Sequence, residues 1–171
     1  TFMMASAITG GDVVIEKVPL QMLHAVISKL RECKVLIDVL DADKVRVRGA
    51  NNIVGTDVRT MPYPGFPTDL QAQMLSLLSI AKGTSILTET VFENRFLHVD
   101  ELIRMGTKVR IEGNSAIVEG VNRLSGAPVK ATDLRAAAAL VLSGLRAEGE
   151  TTISELHHLD RGYEKFEEKM S

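Results

Sequence analysis

A tripeptide repeated at a fixed distance constrains this chain more than any other feature. Thr68-Asp69-Leu70 returns as Thr132-Asp133-Leu134, about 64 residues later. Each copy opens an apolar run with helical spacing: Leu70, Met74, Leu77 and Leu78 in one, Leu134, Ala138, Val141 and Leu142 in the other. Each run stops at a glycine, Gly83 or Gly149, and a β-rich segment follows, 84–89 or 150–155. An arginine, Arg95 or Arg161, stands 12 residues past the glycine in both copies. Shared offsets of this kind argue for a repeated structural frame.

A third, truncated copy precedes these two. Gly10-Gly11 is its stop, 12–17 its strand, and 20–30 a helix with Leu20, Leu23, Ile27 and Leu30 on one face. Two copies continue into alternating strands, Val35, Ile37, Val39 then Val45, Val47, and Val109, Ile111 then Val118. The last copy ends within its second helix, so its closing hairpin is missing and Tyr163, Phe166 and Met170 are expected to leave apolar surface exposed. The expected fold class is therefore α+β: one domain over 1–171, made of helix-strand-helix-strand-strand units at about 1–60, 61–125 and 126–171. Paired amphipathic helices should pack centrally in a pseudo-threefold arrangement, with a small sheet outside each. An ordinary α+β domain with coincidental similarity is the alternative.

Composition narrows the function classes. With 20 Lys+Arg against 22 Asp+Glu and 45% hydrophobic residues, the chain is near neutral and core-forming. Extended nucleic-acid binding has no basic field to support it, and 4% aromatic residues with no Trp leave few stacking platforms. The longest apolar runs fall far short of the ~20 residues that span a bilayer, so no membrane partner is expected. The amino terminus has neither an initiating Met nor a basic n-region, and it reads as an internal cut. The single cysteine, Cys33, forms no intrachain disulfide, which fits a reducing, cytoplasmic setting.

The chemistry concentrates at the ends of the repeated elements. Three prolines between Met61 and Thr68 lead into a helix, where Thr68 and Gln71 fit a capping box and Asp69 would favour the helix dipole by ~0.3–1 kcal/mol. A carboxylate at a rigid element end also suits proton transfer with a hydroxyl, and the residues alone leave both readings open. Arg95 and Arg161 are expected near helix starts, where a cation is unfavourable unless an anion accompanies it. Glu93 or Asp160 could be that anion, and a bound phosphate or carboxylate would serve equally. Arg135, two residues after Asp133, belongs to the same set. No metal is expected, because His24, His98, His157 and His158 lack a ligand set at useful spacing. Cys33 reads as a packed residue, and no Walker loop or GxGxxG is present.

Five blocks in order resemble the UDP-N-acetylglucosamine 1-carboxyvinyltransferases, a family of enolpyruvyl transferases. They are Phe66-Pro67-Thr68-Asp69-Leu70-Gln71-Ala72-Gln73, Thr88-Glu89-Thr90-Val91-Phe92-Glu93-Asn94-Arg95-Phe96, Glu101-Leu102-Ile103-Arg104-Met105-Gly106, Ala131-Thr132-Asp133-Leu134-Arg135-Ala136 and Asp160-Arg161-Gly162-Tyr163-Glu164. The resemblance implies an inside-out α/β barrel domain. It also implies transfer of the enolpyruvyl group from phosphoenolpyruvate to the 3′-hydroxyl of UDP-N-acetylglucosamine, with release of phosphate and no cofactor, at the start of peptidoglycan precursor synthesis. It implies Asp69 at the sugar hydroxyl, backbone near Val91 against the sugar nucleotide, and Arg135 and Arg161 on the anionic groups of phosphoenolpyruvate. Arg95 lies close by in that scheme, and Asp133 is a second carboxylate near the reacting centre.

The departures are equally specific. The family's catalytic cysteine lies in another, N-terminal domain, and Cys33 is not that residue. The chain therefore reads as a C-terminal fragment carrying half an active site and inactive alone. Lys34 stands where the second copy has Gly106, so a left-handed cap there would cost ~1 kcal/mol. Alternatives are the sister transferase acting on shikimate 3-phosphate, and a non-catalytic module that binds a sugar nucleotide or a protein.

Overall fold

The computed structural model describes residues 1–50 and 52–170. In chain order the elements are α1 (Phe2–Thr9), β1 (Asp12–Ile15), α2 (His24–Glu32), β2 (Leu36–Asp41), β3 (Lys44–Arg48), β4 (Val58–Arg59), α3 (Gln71–Leu78), β5 (Thr84–Thr88), α4 (Val99–Arg104), β6 (Lys108–Glu112), β7 (Ser115–Glu119), β8 (Pro128–Lys130), α5 (Leu134–Arg146), β9 (Thr152–Ser154), α6 (His157–Asp160) and α7 (Phe166–Met170). None of the described helices is long and apolar enough to cross a membrane.

Helices α1, α3 and α5 each touch the other two and form the centre of the molecule. Amphipathic spacing is the wrong description for α3: all eight of its residues are buried, including Gln71, Gln73 and Ser76. A helix enclosed on every side has no solvent stripe to keep polar. The α5 side of this contact is an alanine run, Ala136 to Ala139, each 0% exposed. Small side chains let the backbones approach closely enough for the Ser76 hydroxyl to donate to the Ala139 carbonyl at 2.9 Å.

Three sheets flank these helices. The first has strand order β1-β3-β2 and is antiparallel, the second β4-β5-β7-β6, and the third β8-β9. Strand alternation decides which face packs inward: Val45 and Val47 on β3, Leu87 on β5, and Ala116 and Val118 on β7 are each 0% exposed. On the outer face of the first sheet, Arg46 pairs with Asp12 at 2.5 Å and Arg48 with Asp38 at 2.6 Å.

Two strands were not anticipated. β4 runs parallel to β5 and β8 parallel to β9, so each enters its sheet before the central helix rather than after it. At two and three residues they are too short to show alternation, and Pro128 further masks the second. β4, at Val58–Arg59, pairs with Leu87 and Thr88 of β5.

The glycine stops behave as their spacing predicts, with Gly10, Gly83 and Gly149 at φ of 72°, 99° and 91°. Lys34 adopts φ 70° where Gly106 adopts φ 89°, so the strained cap after α2 is real.

The expectation of exposed apolar surface near the carboxyl terminus is not met. Phe166 is 6% exposed, with its ring 5.7 Å from that of Phe2 and 4.8 Å from that of Tyr163. The Tyr163 hydroxyl also meets Gln73 Nε2 at 3.3 Å, tying this segment to α3. Burial of an aromatic pair drives the segment back onto the central helices.

Candidate functional site

The proline-rich lead-in is closed by its own backbone. Met61 N–H donates to the Phe66 carbonyl at 2.9 Å, the Tyr63-Pro64 bond is cis, and Pro67 is extended before a 3-10 turn at Thr68–Leu70. That turn holds Asp69. The capping box does not form: neither the turn nor α3 has a side-chain cap, and Thr68 Oγ1 donates instead to Glu89 Oε2 at 2.7 Å.

Asp69 is committed across the molecule. Arg135, in the first turn of α5, donates from Nε at 2.7 Å and brings Nη2 to 2.6 Å, both on Oδ1 of Asp69. Among the described residues Oδ2 of Asp69 has no partner. Asp133, the matching residue of the repeated tripeptide, has a different task. It N-caps α5, accepting from the N–H groups of Arg135 at 2.8 Å and Ala136 at 3.2 Å. This cap fixes the turn that carries Arg135, so Asp133, Arg135 and Asp69 form one connected unit.

The dipole argument for Arg95 and Arg161 fails. Arg95 lies ahead of α4, separated from it by Phe96 to His98, and Arg161 follows α6 at its C-terminal end. Arg135 is the arginine that stands at a helix N-terminus, and its anions are the protein's own aspartates. Gly162, the residue after Arg161, abuts the side chain of Leu134 at the start of α5.

Arg95 belongs to a separate, open cleft of about 860 Å³ lined by Glu89, Val91, Phe92, Asn94 and Asn114. Its guanidinium lies 4.2 Å from the centre of the Phe92 ring. Val91 lines the same cleft.

Glu89, 2% exposed, joins the cleft to the Asp69 turn and was not singled out as a site residue. Oε1 accepts from Thr60 Oγ1 at 2.7 Å, Val91 N–H at 2.8 Å and Phe92 N–H at 3.2 Å, and Oε2 accepts from Thr68. Burial alone would push this carboxyl up, but the hydrogen bonds from Thr60, Thr68, Val91 and Phe92 together hold it below its ordinary range. The signal was in the alternation. Ser85 and Leu87 face the core, and the next position of that period is Glu89.

His98, the residue before α4, is 2% exposed, and among the described residues its Nε2 has no partner. Burial pushes its pKa down to about 4, against a smaller opposing effect of the Asp133 charge. In the unfolded chain the value is near 6.5, so the unfolded state binds more protons between these limits. Stability is therefore expected to be unaffected by this group above pH 6.5 and to fall by ~1.4 kcal/mol per unit as pH drops toward 4. Urea midpoints measured across that range should show the slope, and His98→Leu should flatten it. Glu89 contributes in the same direction only at lower pH, where its carboxylate begins to protonate.

No group of three or more His, Cys, Asp or Glu side chains that could hold a metal occurs among the described residues.

Comparison with known proteins adds to this geometry. Residues 1–170 match the EPSP synthase (3-phosphoshikimate 1-carboxyvinyltransferase) family. UDP-N-acetylglucosamine 1-carboxyvinyltransferase 1 of Caldanaerobacter subterraneus subsp. tengcongensis is 57% identical over 170 residues, covering 99% of this chain and 41% of the relative. UDP-N-acetylglucosamine 1-carboxyvinyltransferase of Magnetococcus marinus is 56% identical, again over 99% of this chain and 41% of its own length. The chain thus spans about two fifths of these relatives. Among solved structures, the enolpyruvyl transferase NikO from Streptomyces tendae superposes with a TM-score of 0.89 at 28% identity, over 99% of this chain and 40% of that one. EPSP synthase from Acinetobacter baumannii, at 21% identity and a TM-score of 0.75, shares the fold over 95% of this chain and 41% of that one.

Proposed function

Because this chain belongs to the EPSP synthase family of carboxyvinyltransferases, we propose that it is the C-terminal domain of an enzyme that transfers the enolpyruvyl group from phosphoenolpyruvate to the 3′-hydroxyl of UDP-N-acetylglucosamine. The observation that carries the choice of acceptor is the 50–57% identity to relatives named for that sugar nucleotide. In this reading the chain is one pseudo-threefold, inside-out α/β domain, and an N-terminal domain supplies the rest of the site. The setting would be the cytoplasm, and the product a peptidoglycan precursor.

The chemistry assigns a task to each group. The 3′ oxygen bonds to C2 of phosphoenolpyruvate while C3 gains a proton. Loss of a C3 proton and cleavage of the C2–O bond to phosphorus then restore the double bond and release inorganic phosphate. Asp69 takes the hydroxyl proton on its uncommitted Oδ2, while Arg135 orients the carboxylate through Oδ1. Nη1 of Arg135 carries no protein acceptor among the described residues and, with Arg161, is available to an anionic substrate. Asp133 acts near the reacting centre by holding Arg135, and Val91 and Arg95 border the sugar nucleotide.

The test is phosphate release from phosphoenolpyruvate by this chain alone and by this chain completed with the N-terminal domain. Release by the completed enzyme with UDP-N-acetylglucosamine, and none by the chain alone, is the expected result. Release with shikimate 3-phosphate only would assign the sister activity, and silence from a folded, completed enzyme would overturn the reading.

A further inference from the structure

Four consecutive backbone N–H groups on the cleft loop are engaged by the protein itself. Glu89 N–H donates to the Asn114 carbonyl at 2.8 Å, Thr90 N–H to Thr60 Oγ1 at 2.9 Å, and the Val91 and Phe92 N–H groups to Glu89 Oε1. Backbone cradles for phosphate are built from successive free N–H groups, and this loop has none from Glu89 to Phe92. The carbonyls of Val91 and Phe92, by contrast, receive no hydrogen bond from any described residue. The nearby cation is Arg95, whose guanidinium rests on the Phe92 ring.

We propose that Glu89 is a positioning residue for sugar recognition. One oxygen of its buried carboxylate engages the amides of Val91 and Phe92, so these two residues present only their carbonyls. Val91 and Phe92 therefore read hydroxyl and amide donors of the sugar rather than its phosphates. This role rests on the sugar-nucleotide reading above and sharpens it. Because Oε2 of the same carboxylate is held by Thr68, the residue before Asp69, the loop and the Asp69 turn share one anchor. A sugar seated on the loop is thereby registered against Asp69.

The chemistry of Glu89 separates this role from simple support. In Glu89→Ala both loop amides and the Thr60 and Thr68 hydroxyls lose their acceptor. In Glu89→Gln the amide oxygen can still take the Oε1 bonds while the amide nitrogen donates to Thr68 Oγ1. For the completed enzyme, Glu89→Ala is expected to raise KM for UDP-N-acetylglucosamine by about tenfold or more, and Glu89→Gln to recover all but about threefold of it. kcat should change less than KM in both. Calorimetry supplies the readout that a merely structural role would not move: affinity for UDP-N-acetylglucosamine should fall in the variants while affinity for UDP alone holds. Equal losses for the two ligands, or a KM that does not move in a folded Glu89→Ala enzyme, would overturn the proposal. If Glu89→Ala does not fold, the same ratio measured on Glu89→Gln decides: a selective loss supports it and no selective loss overturns it. Failure of the functional reading looks different, since the wild-type enzyme would then neither bind nor consume the sugar nucleotide, and the role assigned to Glu89 would fall with it.

Discussion

Asp69→Asn in the completed enzyme is expected to lower kcat by roughly 10²–10⁴-fold with stability changed by less than ~1 kcal/mol. Asparagine is nearly isosteric and keeps an oxygen for Arg135, but it cannot take a proton from a hydroxyl. The small stability effect follows from geometry. Asp69 caps no helix, and its side chain is 70% exposed, opposite an Arg135 side chain that is 31% exposed. An ion pair that open to water contributes little to folding. Single-turnover kinetics on the variant, with a urea melt of the same sample, would separate the outcomes. A loss of several kcal/mol, with activity falling only in proportion to the folded fraction, would make Asp69 a structural residue.

Gly120→Ala should be among the most damaging substitutions of its size in the chain. A Cβ at this position would lie 1.5 Å from the Ala81 carbonyl oxygen and 2.6 Å from its carbon, so backbone rather than a flexible side chain would have to yield. The strand end cannot retreat easily. Gly120 N–H donates to the Gly83 carbonyl at 3.0 Å, and Val121 N–H to the Ser79 carbonyl at 2.8 Å, fastening β7 to the end of α3. Overpacking against fixed backbone costs about 3 kcal/mol or more. Gly113 provides the control: it sits at φ 59° with open space around its Cβ position, and Gly113→Ala should cost only about 1 kcal/mol from the strained conformation. Thermal or urea unfolding of the two variants side by side tests the contrast, and similar losses would show that the close approach at Gly120 is not what sets its cost.

What the sequence revealed and what it hid divide along the range of the interactions. The glycine stops, the antiparallel strands β2, β3, β6 and β7, and the strained Lys34 cap are set by neighbours in the chain, and their patterns were legible. The tripeptide shared by Asp69 and Asp133 suggested one role for both. The two diverge because α5 begins at Leu134, directly after Asp133, whereas a 3-10 turn intervenes between Pro67 and α3. The partner of Asp69 is Arg135, 66 positions away, and no local pattern announces such a pair. For Arg95 and Arg161 the error lay in helix boundaries: a shift of a few residues turned supposed N-terminal cations into a loop residue and a C-terminal one. Glu89 was hidden by its residue type. A glutamate ending a strand is ordinarily solvated, and only its place in the buried period marked it.

Cys33 gives the molecule a chemical clock. The thiol is 0% exposed at the end of α2, and burial pushes its pKa up to about 12. At pH 8 the reactive thiolate is then about one part in 10⁴, and a soluble alkylating agent cannot reach even that fraction while the core is closed. Iodoacetamide labelling at residue 33 should consequently advance in proportion to the fraction of time the packing around α2 is open, so its rate reports the population of open states in this region. Rapid modification of any other thiol in the completed enzyme would then be distinguishable, molecule by molecule, from breathing of this domain.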